Sequence, residues 1–338
     1  MFCENKSSIM IYLLSRYVTL NRLLMVSVLS VAAATVAAFF AKSGWLSELF
    51  THFPLQYLMI AAACGAALAW RGHRRMALLA GSVVAVNLTV LLAPRPIGHR
   101  AEASVAEGQG LSLLLTNVQR VNTRHHPIIQ YIEAEKPDIV AVLEMDGEWR
   151  RDLDAGLAAY PHRLIREQEN NFGIGVYSRV PLIAAEVLDL SGAGVASLLF
   201  RVRVGGKSVR ILATHPVPPT SQEQAGIRDR QLAAIAAMAT RGSTPMIVIG
   251  DLNLTPWSPR FQALLDQGAL ADSRVGFGHH ATWPTWFPLL WIPIDHVLVG
   301  RGIEVYRRDI GPAVGSDHYP VLVEVGIQPS MAPVFHQR

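Results

Sequence analysis

Cysteine is nearly absent: the 338-residue sequence has 2, Cys3 and Cys64, both within its first 93 residues. From residue 94 onward no disulfide can form, and thiol nucleophiles, thiolate metal cages and dithiol redox chemistry are excluded. The scarcity fits an oxidising compartment without requiring one. Charge is the second thing missing. Leu23–Phe40, Phe53–Trp70 and Met76–Ala93 each run 18 residues without Asp, Glu, Lys or Arg. A helix of that length rises about 27 Å, close to the hydrocarbon thickness of a bilayer. A secretory signal peptide is one shorter run with a cleavage site, and the helices of a soluble all-α domain carry charges at helical spacing. Residues 1–93 are therefore expected to form a membrane domain with three transmembrane helices, at about 23–40, 53–70 and 76–93.

A positive excess is missing where a nucleic-acid binder would need it. The sequence pI is 9.2, yet residues 1–93 hold 7 Lys and Arg against 2 Asp and Glu, while residues 94–338 hold 23 against 24. The basicity belongs to the apolar part, and the rest lacks the positive field of non-specific DNA binding. Lys6, Arg16 and Arg22 precede the first run, Arg71, Arg74 and Arg75 lie between the second and third, and only Lys42 lies between the first two. The positive-inside rule then puts the N-terminus and second loop in the cytoplasm. With three spans, everything after Ala93 faces outward, into the periplasm if the source is a Gram-negative bacterium.

Internal repeats and low-complexity tracts are also absent. Residues 94–110, PRPIGHRAEASVAEGQG, read as a linker. From Leu111 to about residue 326, short apolar runs predict strands: LSLLLTNV, DIVAVLE, GIGVYSR, PLIAAEVLDL, SLLFRVRV, SVRILATH, PMIVIG, IDHVLVG and YPVLVEVG. Gly205–Gly206 reads as a hairpin turn. Helices are expected around 125–136, 221–240, where Leu232, Ile235, Ala236 and Ala239 share a face, and near 258–268. Many strands with few helices, not strictly alternating, suggest an α/β domain of two packed mixed sheets flanked by helices, with residues 327–338 as a tail.

Polar residues gather at the ends of these strands. Asn117 ends LLLTNV, Glu144 ends DIVAVLE and His215 ends SVRILATH. Asp251 and Asn253 follow PMIVIG; Asp295 opens IDHVL; Asp317 and His318 precede YPVLVEV. Singly, each has a bland account as a cap, a turn former or a solvated end, and Gly250-Asp251-Leu252-Asn253 alone is a good tight turn. In an extended segment, Asp251 and Asn253 would share a face at a strand's carboxyl end, where α/β ligand sites lie. Acid, amide or imidazole at so many strand ends is far more specific than any one of them.

With TNVQ (116–119), LE (143–144), THP (214–216), GDLN (250–253), IDHVL (294–298) and SDHYPV (316–321) in this order, the region resembles the endonuclease/exonuclease/phosphatase superfamily, which includes DNase I-like nucleases. The three-span N-terminus resembles a bacterial membrane-anchored branch. The resemblance implies a four-layer α/β sandwich and Mg²⁺-dependent (or Mn²⁺-dependent) cleavage of a phosphoester at a bacterial inner membrane. It implies Glu144 as main metal ligand, with Asn117 and Asp317 beside it, and His318 as catalytic imidazole with Asp295 holding its tautomer. It implies that Asp251 positions or deprotonates the attacking water and that Asn253 and His215 contact phosphoryl oxygens. Tyr177 of GVYSR stays outside this set. The chemistry agrees, because an anionic phosphodiester repels hydroxide and needs a cation and an oriented nucleophile.

The substrate is less legible. HATWPTWFPLLWIPIDHV (280–297) sets three tryptophans, a phenylalanine and several prolines before the IDHV strand. These aromatics read either as core or as an apolar rim at a substrate entrance, suited to a phospholipid or to stacked nucleic-acid bases. A phosphomonoesterase of the same fold, a cytoplasm-facing enzyme and a non-catalytic sensor module stay open. No protein partner is implied.

Overall fold

The computed structural model describes residues 4–93 and 110–327, with side chains described from residue 18. The chain divides into two compact units, 1–94 and 95–338. The expected linker (94–110) and tail (327–338) lie outside the described residues, apart from Gly110 and Ile327, which are strand residues.

The first unit is helical: α1 (Glu4–Phe39), α2 (Trp45–Leu49), α3 (Pro54–Trp70) and α4 (Arg74–Leu92). Val18–Phe39 and Arg74–Leu92 are each long and apolar enough to cross a bilayer. The expected middle span differs. α3 is 17 residues long and forms, with Trp45–His52, a pair bent by 64°, so a third crossing exists only if that pair counts as one. Pro54 explains the break: it lacks the N–H that would continue a preceding helix and is well suited to a first turn. A Cβ on Gly65 would lie 2.6 Å from the Ala80 Cβ, so small residues let α3 and α4 approach closely. Asn87 Nδ2 donates to Thr35 Oγ1 at 2.9 Å and ties α4 to α1.

In the second unit the order is β1 (Gly110–Asn117), α5 (His126–Glu135), β2 (Ile139–Leu143), α6 (Gly147–Gly156), β3 (His162–Arg166), β4 (Ile174–Ser178), β5 (Ile183–Asp189), β6 (Ala196–Val204) and β7 (Lys207–Thr214). Then come α7 (Gln222–Ala239), β8 (Met246–Asp251), α8 (Pro259–Gly268), β9 (Leu270–Asp272), β10 (Asp295–Gly300), β11 (Ile303–Ile310) and β12 (Val321–Ile327). They build two 6-stranded mixed sheets, ordered β11-β12-β1-β2-β4-β3 and β5-β6-β7-β8-β10-β9. Each sheet has one parallel pair, β1 with β2 and β7 with β8.

Alternation along β1 shows the layering. Leu113 and Leu115 pack with Leu143, Phe200, Ile211, Ile247, Val297 and Val323 in the core between the sheets. Leu114 faces the other way, onto Ile128 and Ile132 of α5 and Trp149 and Leu153 of α6. The second sheet turns Leu212, Val248 and Leu298 outward onto Leu232 and Ile235 of α7 and Phe261 and Leu264 of α8. The result is an α/β sandwich of two mixed sheets flanked by helices. The Gly205–Gly206 turn links β6 to β7 with both residues at positive φ, 55° and 79°.

Four elements escape sequence patterning. α6 buries only Trp149 and Leu153 of its ten residues. β3 is a partly exposed edge strand and β9 has three residues. In β11 a register shift between Val305 and Arg307 breaks the alternation that would mark it.

Candidate active site

Parallel pairing brings strand carboxyl ends together, and the residues singled out by the sequence sit at those ends. Asn117 lies beside Leu143 in register, so Glu144 follows directly at its side. His215 follows β7, and Asp251 ends the neighbouring β8. β10 runs antiparallel to β8 with Asp295 opposite Asp251. The 316–318 segment enters between the sheets' ends just before β12. Asn117, His215, Asp251, Asp295 and His318 are all buried.

The side chains form one connected set. Asn117 Nδ2 donates to Glu144 Oε1 at 3.0 Å and to Asp251 Oδ2 at 3.4 Å, and lies 3.5 Å from His318 Nε2. Asp251 Oδ2 is 3.5 Å from His215 Nε2 and 3.8 Å from His318 Nε2. His318 Nδ1 meets Asp295 Oδ2 at 2.8 Å. The imidazole thus has its two nitrogens aimed at different carboxylates. Asp317 Oδ1 is 4.0 Å from His318 Nε2, and its Oδ2 accepts from the Trp283 indole N–H at 3.0 Å.

Asn253 corrects one expectation. It does not extend the strand: its φ is +52°, and its N–H donates to Asp251 Oδ1 at 2.9 Å. The acid and amide meet through a side-chain-closed turn rather than through strand alternation. Asn253 Nδ2 donates to the Pro216 carbonyl at 2.9 Å, fastening the turn to the loop after His215. Glu144 is likewise left-handed, at φ +60°, a conformation that costs energy and concentrates where a side chain must be aimed.

Electrostatics follow from this packing. Burial disfavours a charged His318, but the Asp295 carboxylate bonded to it, with Asp251 and Asp317, outweighs burial and lifts it to about 10. His215 is pulled down by burial, yet Asp251 and Glu144 carry it above the ordinary imidazole value. Burial pushes Asp251 up, but the His215 hydrogen bond, the His318 charge and the Asn253 N–H hold it below the ordinary carboxylate range.

Sequence reasoning gave no role to several residues that hold this set. Ser316 Oγ donates to the Asn117 carbonyl at 2.7 Å and accepts from the His318 N–H at 3.0 Å. Thr282 Oγ1 accepts from the N–H groups of Ile294 and Asp295, both at 3.2 Å. Its carbonyl accepts from the Tyr319 N–H at 2.8 Å, so Thr282 spans both sides of the Asp295–His318 pair. A Cβ on Gly250 would lie 1.8 Å from the Thr214 carbonyl oxygen, so only glycine lets β7 and β8 bring His215 and Asp251 together. The signal was present in part, because Ser316 and Gly250 stand inside the SDHYPV and GDLN strings. Tyr177 belongs to the fold: fully buried, it donates to Asp154 Oδ1 at 3.2 Å, and burial raises its pKa.

Two groups of side chains could hold a cation. Asp251, Asp295 and His318 offer donor atoms within 4.8 Å of one another, but Asp295 Oδ2 is committed to His318 Nδ1. Glu144 and Asp251 instead converge on a single amide nitrogen of Asn117, two acidic side chains with one neutral donor between them. Oxygen ligands of this kind fit a hard divalent cation such as Mg²⁺ or Mn²⁺.

Comparison with known proteins agrees with the geometry. The Endonuclease/Exonuclease/phosphatase family model matches residues 109–318. Among solved structures, an endonuclease/exonuclease/phosphatase from Bacteroides vulgatus superposes with TM-score 0.55 at 19% identity, covering 65% of this chain and 99% of its own. The human nocturnin catalytic domain, with a bound sulfate anion, superposes with TM-score 0.54 at 16% identity, covering 66% and 97%. D. rerio TDP2 in complex with a single-strand DNA product gives TM-score 0.54 at 17% identity, covering 64% and 99%. At such identities the likeness is one of fold. No curated protein matches the chain at a significant level.

Proposed function

The chain belongs to the endonuclease/exonuclease/phosphatase family, and on that footing we propose that it is a membrane-anchored, divalent-metal-dependent phosphodiesterase whose substrate is a nucleic acid or a phospholipid. The observation that carries this reading is the joined pair Asn117–Glu144 and His318–Asp295 on either side of Asp251. Glu144 and the nearby Asp251 would hold Mg²⁺ or Mn²⁺ through carboxylate oxygens, and Asn117 would join them only through its Oδ1, which here accepts from the Gln119 N–H; Asp317, tied to Trp283, completes the acidic rim. The ion would supply charge neutralisation at the phosphoryl oxygens.

The chain's own groups divide the remaining work. Asp251, held ionised by two imidazoles, is a weak base and a strong acceptor, suited to orienting a water for attack. His318, kept protonated and aimed by Asp295, can place a positive hydrogen-bond donor on a phosphoryl oxygen or give its Nε2 proton to the leaving oxygen. His215 offers a second imidazole across Asp251, and Asn253 holds the turn that fixes Asp251.

Anchoring rests on the apolar helices, and the side of the membrane rests on their number. Three crossings with Lys and Arg clustered before the first and third put the domain outside, in the periplasm of a bacterial inner membrane; two would leave it inside. A C-terminal reporter fusion active only outside the cytoplasm tests that parity.

The chemical test uses the full chain in detergent with a diester panel of DNA, RNA and phospholipids, beside phosphomonoesters. Hydrolysis of a diester should vanish with EDTA and return with Mg²⁺ or Mn²⁺. Glu144→Gln removes a charge and keeps shape, so the Mg²⁺ concentration for half-maximal rate should rise about tenfold or more, equivalent to about 1.4 kcal/mol of lost binding. Turnover that survives EDTA, or a Glu144→Gln curve superimposable on wild type, refutes the metal assignment.

A further inference from the structure

Among the described residues of the second unit, the loop before β10 carries the densest group of exposed large apolar side chains. Large hydrophobic side chains exposed in residues 110–327 are Val121, Ile183, Val187, Trp286, Phe287, Leu289 and Trp291. Four of the seven fall within six consecutive residues, with Trp286 at 69% and Leu289 at 60% exposure. Residues 281–294 contain no Asp, Glu, Lys or Arg. The sequence left open whether these aromatics are core or rim. Trp283 is half-buried with its indole on Asp317, while Trp286 and Phe287 stack on each other at 5.7 Å and face solvent.

The rim is mechanically joined to the site. The Thr285 N–H donates to the Asp317 carbonyl at 2.9 Å, and Thr285 Oγ1 donates to the Ser316 carbonyl at 2.8 Å. Trp291 meets Tyr319 edge-on at 6.0 Å, one residue from His318. The rim is therefore bonded directly to the backbone of Ser316 and Asp317, next to His318.

We propose that Trp286, Phe287, Leu289 and Trp291 form an interfacial dock that inserts into the headgroup region of a phospholipid bilayer. Three observations select this occupant. Tryptophan and phenylalanine beside uncharged residues suit the boundary between headgroups and acyl chains. The rim has no cation to follow a phosphate backbone, which nucleic-acid grooves require in addition to stacking. A 16-residue stretch, 94–109, joins the second unit to the apolar helices and can reach at most about 58 Å, so if those helices are anchored the unit is confined near a bilayer. The inference rests on the anchoring part of the proposed function and not on its chemistry.

The test needs no turnover. The full chain and its Trp286→Phe variant are placed in phosphatidylcholine nanodiscs with ordinary or brominated acyl chains, and the difference in emission isolates Trp286. The dock predicts that brominated lipid reduces that component about twofold or more and that aqueous acrylamide quenches it poorly. A control carries Val187→Trp in the Trp286→Phe background, placing the probe on another exposed apolar position; bromolipid should leave it unchanged. Trp286 emission that ignores bromolipid and yields to acrylamide overturns the dock. Equal quenching of the Val187→Trp probe overturns it too, since the domain would then lie on the bilayer without a chosen face. Protection of Trp286 by a single-stranded oligonucleotide instead of lipid would reassign the rim to base stacking. A chain that fails to enter the discs removes the anchor and the dock together, whereas incorporation with an unquenched Trp286 removes only the dock. Diester hydrolysis stands or falls separately.

Discussion

Asp295→Asn is the substitution that best separates a working His–Asp pair from two strand-end residues that happen to touch. The backbone at 295 is held independently of its side chain: its N–H goes to Thr282 Oγ1 at 3.2 Å, and its carbonyl accepts from Arg308 at 3.3 Å. The fold should therefore survive. What is lost is a 2.8 Å bond between groups that are 1% and 5% exposed. A charge-assisted bond of this kind contributes roughly 1.5–3 kcal/mol, about 10- to 10²-fold in rate if expressed in the transition state. Without the carboxylate the imidazole also loses the main support of the charge it carries as an Nε2 donor, so the expected fall in kcat is on the order of 10² or more. His318→Ala removes the imidazole itself and should cost on the order of 10²–10⁴. Because Asp295 acts only through His318, the double variant should be within a few-fold of His318→Ala. The assay is kcat and kcat/KM at saturating Mg²⁺ on an unactivated alkyl phosphodiester that the wild-type chain hydrolyses, whose leaving oxygen needs a proton, with thermal unfolding to confirm the fold. Losses that multiply in the double variant refute the coupling, and near-normal turnover in both singles refutes the site.

Gly250→Ala should destabilise the domain by at least about 1–3 kcal/mol, the usual cost of overpacking, because its Cβ would overlap the Thr214 carbonyl; an unchanged melting temperature would show that β7 and β8 do not meet as described. The acid limb of stability should involve His296, whose pKa is lowered by burial and by Arg308 and Arg274. A lowered imidazole stays neutral in the fold while the unfolded chain gains a proton, so stability is present above about pH 6.5 and falls as pH drops below it. Melting temperatures from pH 6.5 to 5 in EDTA, below the window in which the raised His215 and His318 act in the opposite sense, should show this slope, and His296→Gln should reduce it; an unaltered slope contradicts the assignment. Asp272, held low by Arg274, His296 and Arg308 against its burial, adds a second loss only below the ordinary carboxylate range.

The site was more legible than the frame around it, for a physical reason. Groups that do chemistry must be particular atoms, so the candidate residues Asn117, Glu144, His215, Asp251, Asp295 and His318 could be singled out wherever a strand ended. Structural roles are carried by groups with substitutes. Thr282 works through a hydroxyl and a carbonyl that accept three backbone N–H groups, and nothing in TWPT announces that. Edge strand β3 and bulged β11 carry too little alternation to be seen, although β11 supplies Arg308, the buried cation that holds the Asp295 carbonyl. The misjudged turn at Asn253 has the same origin. Alternation describes a strand only while the strand lasts, and β8 ends at Asp251 because that carboxylate accepts the Asn253 N–H itself. One oxygen of Asp251 closes the turn while the other faces Asn117, His215 and His318. The turn reading and the site reading of GDLN are therefore one arrangement: the hydrogen bond that ends the strand is what points the carboxylate into the site.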